Sequence, residues 1–269
     1  MPRLDKFLVE KNYFPSREKA RDAILQKTVQ VNGIVIEKTA KEIDENSTIE
    51  IVDVFNRYVS RGGLKLEKAI KDFVLDFSCK KVLDIGASTG GFSDCALQYG
   101  AQFCYAIDVG KEQLHHSLRK NDKIISLEEK DFRDLTPQDV NFVQFDFIVS
   151  DVSFISLTYL FPYFNTFLSE NGQLLLLIKP QFETGNSFLN KNGIVTDNKG
   201  YKIAIQKVIT EALNQGFYLN NLTISTLFEL QKNAEFLALF SKTDNHFKLD
   251  YSTLFSELKT IRKSLRKTP

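Results

Sequence analysis

The residues best suited to chemistry in this chain are three charged side chains at the ends of apolar runs. Asp84 lies near the end of one run, just before a stretch of small residues, and Asp108 closes the next run. Lys179 follows the purely aliphatic run 174–178. Burying a lysine there is costly unless it has a partner or a task. Carboxylates beside a glycine-rich turn can accept hydrogen bonds from a small ligand, so the pattern indicates a ligand site.

The stretch after Asp84 is expected to join a strand to a helix, and it reads Gly86-Ala87-Ser88-Thr89-Gly90-Gly91-Phe92. Its spacing, Gly-x-x-x-Gly-Gly, differs from the Gly-x-Gly-x-x-Gly of nicotinamide-dependent dehydrogenases. Backbone N–H groups of such a loop can approach a ligand closely. An acidic residue two positions before the first glycine resembles the start of Rossmann-like S-adenosylmethionine methyltransferases. The alternative is an ordinary strand-to-helix turn whose glycines serve packing.

This resemblance implies a set of cofactor contacts. Asp108 is expected to accept from two ribose hydroxyls, although it could instead cap a helix that begins near Lys111. Asp131 and Phe132, after the third strand, are expected to read and stack on an adenine. The full expected set is Asp84, Gly86, Ala87, Ser88, Thr89, Gly90, Gly91, Phe92, Asp108, Val109, Asp131 and Phe132.

The end of the fourth strand, Ser150-Asp151-Val152-Ser153-Phe154, narrows the chemistry. Amino-group methyltransferases typically show Asp/Asn-Pro-Pro-aromatic here, and cytosine-C5 enzymes need a nearby cysteine; neither is present. A ribose hydroxyl instead needs a general base close to its oxygen. Burial and a second cation would lower the pKa of Lys179 enough for this role. Lys65 could be that cation, with Asp151 and Glu235 orienting the two amines.

Strands and helices alternate from residue 64 onward, which predicts a mostly parallel sheet covered on both faces. The last two strands are joined too closely for a helical crossover, so the final strand is predicted to run antiparallel. Predicted strands cover residues 81–85, 103–108, 123–127, 145–150, 173–179, 218–227 and 236–241, with helices near 64–73, 91–99, 112–119, 157–168 and 199–214.

The first fifty-odd residues form a separate unit of two helices and a small sheet. Ser16 is a plausible N-cap for the second helix, and the Asn32-Gly33 pair between two β-branched runs predicts a hairpin. Another strand is expected at residues 49–52. Together these elements resemble an S4 domain, the RNA-binding module of ribosomal protein S4 and of several RNA-modifying enzymes.

The S4 resemblance implies that basic side chains of this unit contact RNA phosphates; the alternative is an ordinary solvated helix face. The expected RNA-binding residues are Arg3, Lys6, Arg17, Lys19, Arg21 and, in the connector that follows, Arg61. The triplet Arg3-Leu4-Asp5 also resembles the Arg-Leu-Asp motif of pseudouridine synthases, in which the aspartate is catalytic. No synthase domain surrounds it here, so Asp5 is interpreted as a structural residue at the start of a helix.

Composition excludes several classes of protein. The formal net charge of +1 over 269 residues is not that of a globally basic nucleic-acid binder, although both termini are locally basic. Three cysteines without Cys-x-x-Cys spacing favour inert reduced thiols over disulfides or a zinc site, and no metal is expected. The charged N-terminus lacks a signal-peptide core, and the longest aliphatic run is too short to span a bilayer. A soluble, cytoplasmic protein is expected, with no membrane partner and a monomeric state assumed.

The motifs as a set resemble the TlyA (hemolysin A) family of rRNA methyltransferases, with Ser-Arg-Gly-Gly-Leu-Lys followed by Asp-Ile-Gly-Ala-Ser-Thr-Gly-Gly-Phe-Ser. Lys65, Asp151, Lys179 and Glu235 match, in order, the Lys-Asp-Lys-Glu tetrad of FtsJ-like ribose 2′-O-methyltransferases. The resemblance implies an α/β fold: a Rossmann-like class I methyltransferase with a seven-stranded sheet, preceded by a small α+β S4 domain. The implied boundaries are residues 1–56 for the S4 domain, 57–63 for a linker, 64–245 for the methyltransferase domain and 246–269 for a basic C-terminal helix or tail.

The function implied is S-adenosylmethionine-dependent 2′-O-methylation of a cytidine ribose in small- or large-subunit rRNA, with Lys179 as general base. Taken singly, each tetrad residue could be structural: Lys65 a solvated helix residue, Lys179 a snorkelling one and Glu235 an edge-strand charge. Two other functions are alternatives. One is a non-catalytic RNA-binding or ribosome-assembly factor, and the other, disfavoured, is a membrane-active hemolysin.

Overall fold

The structure, a computed structural model, describes residues 2–11, 13–14, 17–25, 28–51, 57–225 and 232–267. The predicted N-cap Ser16, the connector residues 52–56 and the end of the strand predicted at 218–227 lie outside the described residues, as does the side chain of Lys19. The chain divides after Arg57 into two compact units.

The N-terminal unit is a pair of helices on a small antiparallel sheet. Its elements are α1 (Leu4–Glu10), α2 (Arg17–Leu25), β1 (Val29–Val31), β2 (Ile34–Val35) and β3 (Ile49–Ile51). The sheet order is β2-β1-β3, and both pairings are antiparallel. The predicted hairpin is confirmed, since Asn32 and Gly33 both adopt positive φ, as a two-residue type I′ turn requires. Leu4, Leu8 and Ile24 have no exposed surface and form the centre of the core.

The C-terminal unit is a three-layer α/β fold. Its elements are α3 (Gly62–Phe73), β4 (Lys81–Ile85), α4 (Gly91–Gln98), β5 (Phe103–Ile107), α5 (His116–Arg119), β6 (Ile124–Leu127), β7 (Phe145–Ser150), α6 (Phe161–Phe167), β8 (Leu168–Ile178), α7 (Pro180–Glu183), α8 (Asn198–Asn214), β9 (Tyr218–Ile224), β10 (Phe236–Ser241) and α9 (Tyr251–Lys267).

The seven-stranded sheet has the order β6-β5-β4-β7-β8-β10-β9. The five strands from β4 to β8 are parallel, and β10 pairs antiparallel with both β8 and β9, which confirms the predicted sheet. The aliphatic run in β8 is fully buried because apolar clusters cover both faces of the sheet, as is typical of central strands in parallel sheets.

The helix predicted at residues 112–119 is wrong over its first half. Only His116–Arg119 is helical, and Glu112 lies in the left-handed region with φ 52°. The carboxylate of Glu128, at the end of the third parallel strand, accepts from the backbone N–H of Glu112 at 2.7 Å and of Leu114 at 2.9 Å. These N–H groups are thereby held in an irregular loop. Local helical periodicity could not show this long-range competition.

Two other boundaries differ from the sequence predictions. The helix predicted at 157–168 is a 3-10 turn, Leu157–Tyr159, followed by the separate helix α6. Strand β8 begins at Leu168 and not at 173. Residues 169–172 have the composition of a turn, but they continue the strand with a register shift opposite β7.

The basic C-terminal segment is part of the folded unit. In α9, Leu254 and Leu258 are buried in the same apolar cluster as the sheet. Arg262 donates to the Tyr201 hydroxyl at 2.6 Å and lies over its ring. Among the described helices, none combines the length and apolarity needed to cross a membrane.

We predict that Gly63→Ala destabilises the C-terminal unit. A Cβ on Gly63 would fall within 2.6 Å of three atoms of the buried Tyr58 side chain. Overpacking of this kind costs about 1–3 kcal/mol, which outweighs the gain of about 1 kcal/mol from replacing a helical glycine. Gly185→Ala is the matched control, since its Cβ meets only an ordinary contact at 3.9 Å. Thermal unfolding that is equal for both variants would contradict the prediction.

Candidate active site

Four charged residues that are far apart in sequence meet at one edge of the large sheet. Asp151 directly follows β7, Lys179 directly follows β8, Glu235 directly precedes β10, and Lys65 lies in the first turns of α3. Because β7 and β8 are parallel neighbours, their carboxyl ends lie side by side. Because β10 is antiparallel to β8, its first residue lies at the same edge. The topology therefore brings all four side chains together.

The four side chains form a continuous chain of ion pairs. Lys179 Nζ lies 2.7 Å from Asp151 Oδ1, and Lys65 Nζ lies 3.0 Å from Asp151 Oδ2. Lys65 Nζ also lies 2.8 Å from Glu235 Oε2. The four side chains are 10–20% exposed, so the cluster is shielded from bulk water but reachable from outside.

The charge pattern differs from the one expected from the sequence. The two ammonium groups do not face each other directly, because the carboxylate of Asp151 lies between them. Burial alone would lower the pKa of Lys65, but the charges of Asp151 and Glu235 outweigh it and raise the pKa above its ordinary value. Lys65 is thus held as a cation.

Ser153 is a member of this site that the sequence analysis did not single out. Lys179 Nζ donates to Ser153 Oγ at 2.6 Å. The sequence offered only a weak signal for this residue, namely a hydroxyl side chain two positions after the aspartate that follows the strand. The sequence analysis used this segment mainly to note the motifs that it lacks. Lys179 is therefore oriented from two sides, by Asp151 and by Ser153.

The loop after β4 is bent as its glycines require. Gly86 and Gly90 have positive φ, and a Cβ on Gly91 would collide with Ser60 Oγ and lie 2.9 Å from the nitrogen of Gly63. The glycines thus serve the packing of the chain itself, which the sequence analysis had kept as an alternative.

Four N–H groups of this loop are hydrogen-bonded within the protein. Those of Gly86 and Ala87 donate to the carbonyl of Ile107, and that of Gly90 donates to the carbonyl of Ala87. The N–H of Ser88 donates to the Asp108 carboxylate at 2.7 Å. These four hydrogen bonds hold the loop in its closed turn.

Asp84 is the most perturbed carboxylate of the site. It is 1% exposed, and its Oδ2 accepts from the backbone N–H and the hydroxyl of Ser93 at 2.9 and 2.7 Å. Its Oδ1 is buried, and no donor among the described residues reaches it. Burial, and to a lesser degree the charges of Asp151 and Asp108, raise the pKa of Asp84 to about 7. A buried carboxylate oxygen without a partner is costly unless a ligand supplies the donor.

A cavity of about 210 Å³ joins the loop to the charged cluster. It is lined by Ser60, Gly62, Asp84, Gly86, Ala87, Ser88, Thr89, Gly91, Phe92, Asp151, Ser153 and Lys179. Asp84 is one of the lining residues, and a carboxylate there suits a ligand with a cationic N–H group. Ser60 and Gly62 are cavity residues that the sequence analysis did not assign to the cofactor.

The residues expected around a nucleoside follow the next two strands at the same edge. Both oxygens of Asp108 accept backbone N–H groups, from Ser88 and from Gly110, each at 2.7 Å. The alternative of a helix cap near Lys111 is not realised, since no helix begins there. Each carboxylate oxygen has a further lone pair, so Asp108 can still accept from hydroxyls. Val109 beside it is 71% exposed.

Asp131 and Phe132 are arranged differently from what was expected. The Asp131 carboxylate binds Arg133 through a bidentate pair at 3.0 and 2.6 Å, while remaining partly exposed. Phe132 is 3% exposed and packs against Phe164 and Phe167 in the core. Its ring therefore presents no free face, and the expectation that it stacks on an adenine is wrong. An aromatic residue at a strand end also suits the core, and the sequence pattern cannot distinguish the two.

The residues expected to bind RNA fall into distinct settings. Arg3, Arg17 and Arg21 all donate to the carboxylate of Asp5. Lys6 forms an exposed pair with Glu10 at 3.3 Å, and Arg61 is exposed just before α3.

Of the cysteines, Cys95 and Cys104 are buried whereas Cys79 is exposed, and no disulfide links them.

The chain matches two family models and several known proteins. The model described as FtsJ-like methyltransferase matches residues 58–242, and the S4 domain model matches residues 2–49. The 16S/23S rRNA (cytidine-2′-O)-methyltransferase TlyA of Mycobacterium tuberculosis is 33% identical over 244 residues, covering 90% of this chain and 91% of that protein. Hemolysin A of Brachyspira hyodysenteriae is 40% identical over 238 residues, covering 88% of this chain and 99% of that protein. A solved structure of a hemolysin-named protein from Streptococcus thermophilus is 36% identical with a TM-score of 0.80, covering 98% of both chains.

We predict a pH dependence of stability that originates in Asp84. Its pKa is about 7 in the folded protein and 3.8 in the reference state, so the folded protein binds the proton more tightly. Stability must therefore fall as the pH rises from about 4 to about 7, by at most about 1.4 kcal/mol per pH unit. Asp84→Asn has no proton to lose, so its stability should change less than that of wild type between pH 5 and 8. The exposed Asp134→Asn variant should follow wild type. Parallel curves for Asp84→Asn and wild type, in thermal unfolding from pH 5 to 8, would count against this origin.

Proposed function

The chain belongs to the FtsJ-like methyltransferase family, in the TlyA group that also carries an S4 domain, and we propose that it methylates a ribose 2′-hydroxyl of rRNA, at a cytidine. S-adenosylmethionine is the proposed methyl donor. The observation that carries the proposal is the ion-paired cluster of Lys65, Asp151, Lys179 and Glu235. Its members Asp151 and Lys179 line the same cavity as the glycine-rich loop. A base beside a cofactor cavity is what transfer to a hydroxyl requires.

The arrangement of charges supports Lys179 as the general base. Lys65 has two carboxylate partners and is held as a cation, whereas Lys179 shares a single carboxylate with it. Lys179 is thus the amine whose charge is compensated by fewer carboxylates. Asp151 and Ser153 hold its Nζ in place, and Lys179 also lines the cavity. Glu235 acts through Lys65.

The residues around the cavity fit the proposed cofactor. S-adenosylmethionine, when bound, supplies an electrophilic methyl group carried on a sulfonium sulfur. The unpaired Oδ1 of Asp84 suits an ammonium group, and Asp108 retains acceptor capacity for hydroxyls. Asp131 remains partly exposed, and Phe132 can contribute only through its main chain.

The chain's own contribution to the reaction is deprotonation and positioning. Lys179 would accept the proton of the 2′-hydroxyl as the oxygen attacks the methyl carbon, leaving an ammonium group paired with Asp151. Near-buried ion pairs hold the amine with little freedom, which reduces the entropic cost of alignment. Because the cluster lies within a recessed cavity, the target nucleotide must leave its stack to reach it.

We expect Lys179→Ala to lower kcat for methyl transfer at least about a hundredfold, since general-base catalysis contributes about 10²–10⁴-fold. The affinity for S-adenosylmethionine should remain near wild type, because the loop and Asp84 are unchanged. Lys68→Ala is the matched control: Lys68 lies on α3 and pairs with Asp72 at a distance of 2.6 Å. The measurement is transfer of radiolabelled methyl from S-adenosylmethionine to ribosomal subunits that lack the modification.

Each outcome of this experiment decides between functions. Label in rRNA that disappears with Lys179→Ala but persists with Lys68→Ala supports the proposed reaction and base. Wild-type turnover in Lys179→Ala would overturn the role of the cluster. Failure of the wild type to label any subunit or free rRNA would favour a non-catalytic RNA-binding or assembly factor. Leakage of dye from liposomes without methyl transfer would instead favour a membrane-active protein.

A further inference from the structure

The N-terminal unit contains a buried carboxylate that the proposed reaction does not use. The side chain of Asp5 has no exposed surface although it lies in the first turn of a short helix. Arg3 donates to it through Nε and Nη2, both at 3.2 Å. Arg17 Nη2 and Arg21 Nε donate to Oδ2 at 2.9 and 3.0 Å. Three guanidinium groups therefore share one carboxylate.

The main chain fixes where this carboxylate lies. The N–H of Leu4 donates to the carbonyl of Lys41 at 2.8 Å, and that of Asp5 donates to the carbonyl of Thr39 at 3.2 Å. Leu4 and Leu8 are buried against α2, which carries Arg17 and Arg21 one turn apart on its exposed side. The position of Asp5 is thus set by the fold, and the arginines adopt their positions in relation to it.

The arginines retain exposed surface after binding Asp5. Their side chains are 45% (Arg3), 51% (Arg17) and 49% (Arg21) exposed. A guanidinium group has five N–H donors, and each arginine uses one or two of them here. The remaining donors can bind an anion. Three positive charges and one negative charge leave a formal charge of +2 on the cluster.

Burial alone would raise the pKa of Asp5, but the hydrogen bonds from Arg3, Arg17 and Arg21 hold it well below its ordinary value. The carboxylate is therefore ionised at neutral pH. The charged carboxylate of Asp5 reduces the rotamer freedom of the three arginine side chains before any ligand binds. Ordering such side chains otherwise costs free energy at the moment of binding.

We propose that Asp5 is a positioning residue that assembles Arg3, Arg17 and Arg21 into one preformed site for an RNA phosphodiester. The identity of the RNA as rRNA rests on the proposed function. Planar guanidinium groups bind phosphate oxygens bidentately, and their relative placement decides whether two of them can reach one phosphate. The carboxylate sets that placement, at the expense of one unit of positive charge.

Replacement of Asp5 by asparagine distinguishes an effect of positioning from an effect of net charge. The two effects change the affinity for RNA in opposite directions. Asp5→Asn raises the charge of the unit by one, so a purely electrostatic surface would bind RNA more tightly. If Asp5 positions the arginines, RNA binding weakens despite the added charge. Glu10→Gln is the matched control: it adds the same charge on the same helix, but Glu10 pairs with Lys6 outside the cluster.

The experiment measures binding of the full chain to ribosomal subunits at several salt concentrations. We expect about tenfold weaker binding for Asp5→Asn, the size of effect typical for loss of charge-assisted hydrogen bonds. Its slope of log affinity against log salt should be shallower than that of Glu10→Gln. In methyl transfer, KM for subunits should rise while kcat and S-adenosylmethionine affinity stay near wild type. Binding of Asp5→Asn as tight as that of Glu10→Gln would overturn the proposal.

A second variant keeps the test decisive if Asp5→Asn unfolds the N-terminal unit. The double variant Arg17→Lys/Arg21→Lys retains Asp5 and every charge. It replaces two planar guanidinium groups, which can bind bidentately, by ammonium groups that act as point charges. Weaker subunit binding by this folded variant supports the positioned site, and wild-type affinity would overturn it. If wild type binds subunits but transfers no methyl group to them, the proposed function fails. The comparison of variants in binding then still decides the role of Asp5.

Discussion

Convergence of strand ends at one edge of the large sheet is the constraint on which this site depends. Parallel neighbours place their last residues side by side, and an antiparallel neighbour places its first residue there. Asp151, Lys179 and Glu235 therefore meet, although Asp151 and Glu235 are 84 positions apart in the sequence. The helix preceding the sheet contributes Lys65 to the same edge. No local segment contains the site, so the site exists only when the whole sheet is formed.

Sharing of one carboxylate between two lysines has consequences for reactivity. A pair of lysines without acidic partners would repel each other. Here Asp151 serves both lysines and Glu235 serves only Lys65. The positive charge of Lys65 is therefore compensated by two carboxylates and that of Lys179 by one. This difference distinguishes two residues of the same chemical type. A similar principle governs Asp84, where one oxygen is satisfied by Ser93 and the other has no partner among the described residues.

Buried carboxylates have opposite roles in the two units. The donors that reach Asp84 are the neutral groups of Ser93, so burial, with a smaller contribution from the charges of Asp151 and Asp108, raises its pKa. Asp5 is surrounded by three guanidinium groups, and its pKa is lowered although its side chain has no exposed surface. The difference lies in the neighbours and not in the degree of burial. In one case a carboxylate oxygen has no donor among the described residues, and in the other three guanidinium groups share one carboxylate.

Much of the architecture could be predicted from the sequence because it rests on local patterns. Alternating apolar runs indicated the parallel sheet, a short connection indicated the antiparallel last strand, and Asn32-Gly33 indicated the hairpin, whose positive φ angles the structure shows. The same patterns failed where a distant group intervened. Glu128 withdraws two N–H groups from a helix that periodicity favoured, and Phe132 turns into an aromatic core that lies far along the chain.

The sequence by itself determined the order and chemical types of the charged residues, the strands that carry them and the family to which the motifs belong. The tertiary structure alone decided which partner each charge has. It placed Asp151 between the two lysines, brought Ser153 to Lys179 and collected three arginines around Asp5. The physical reason is that spacing along a chain specifies which face or strand end a side chain occupies. Partners and burial, which set the energies of charges, depend on atoms contributed from elsewhere in the fold.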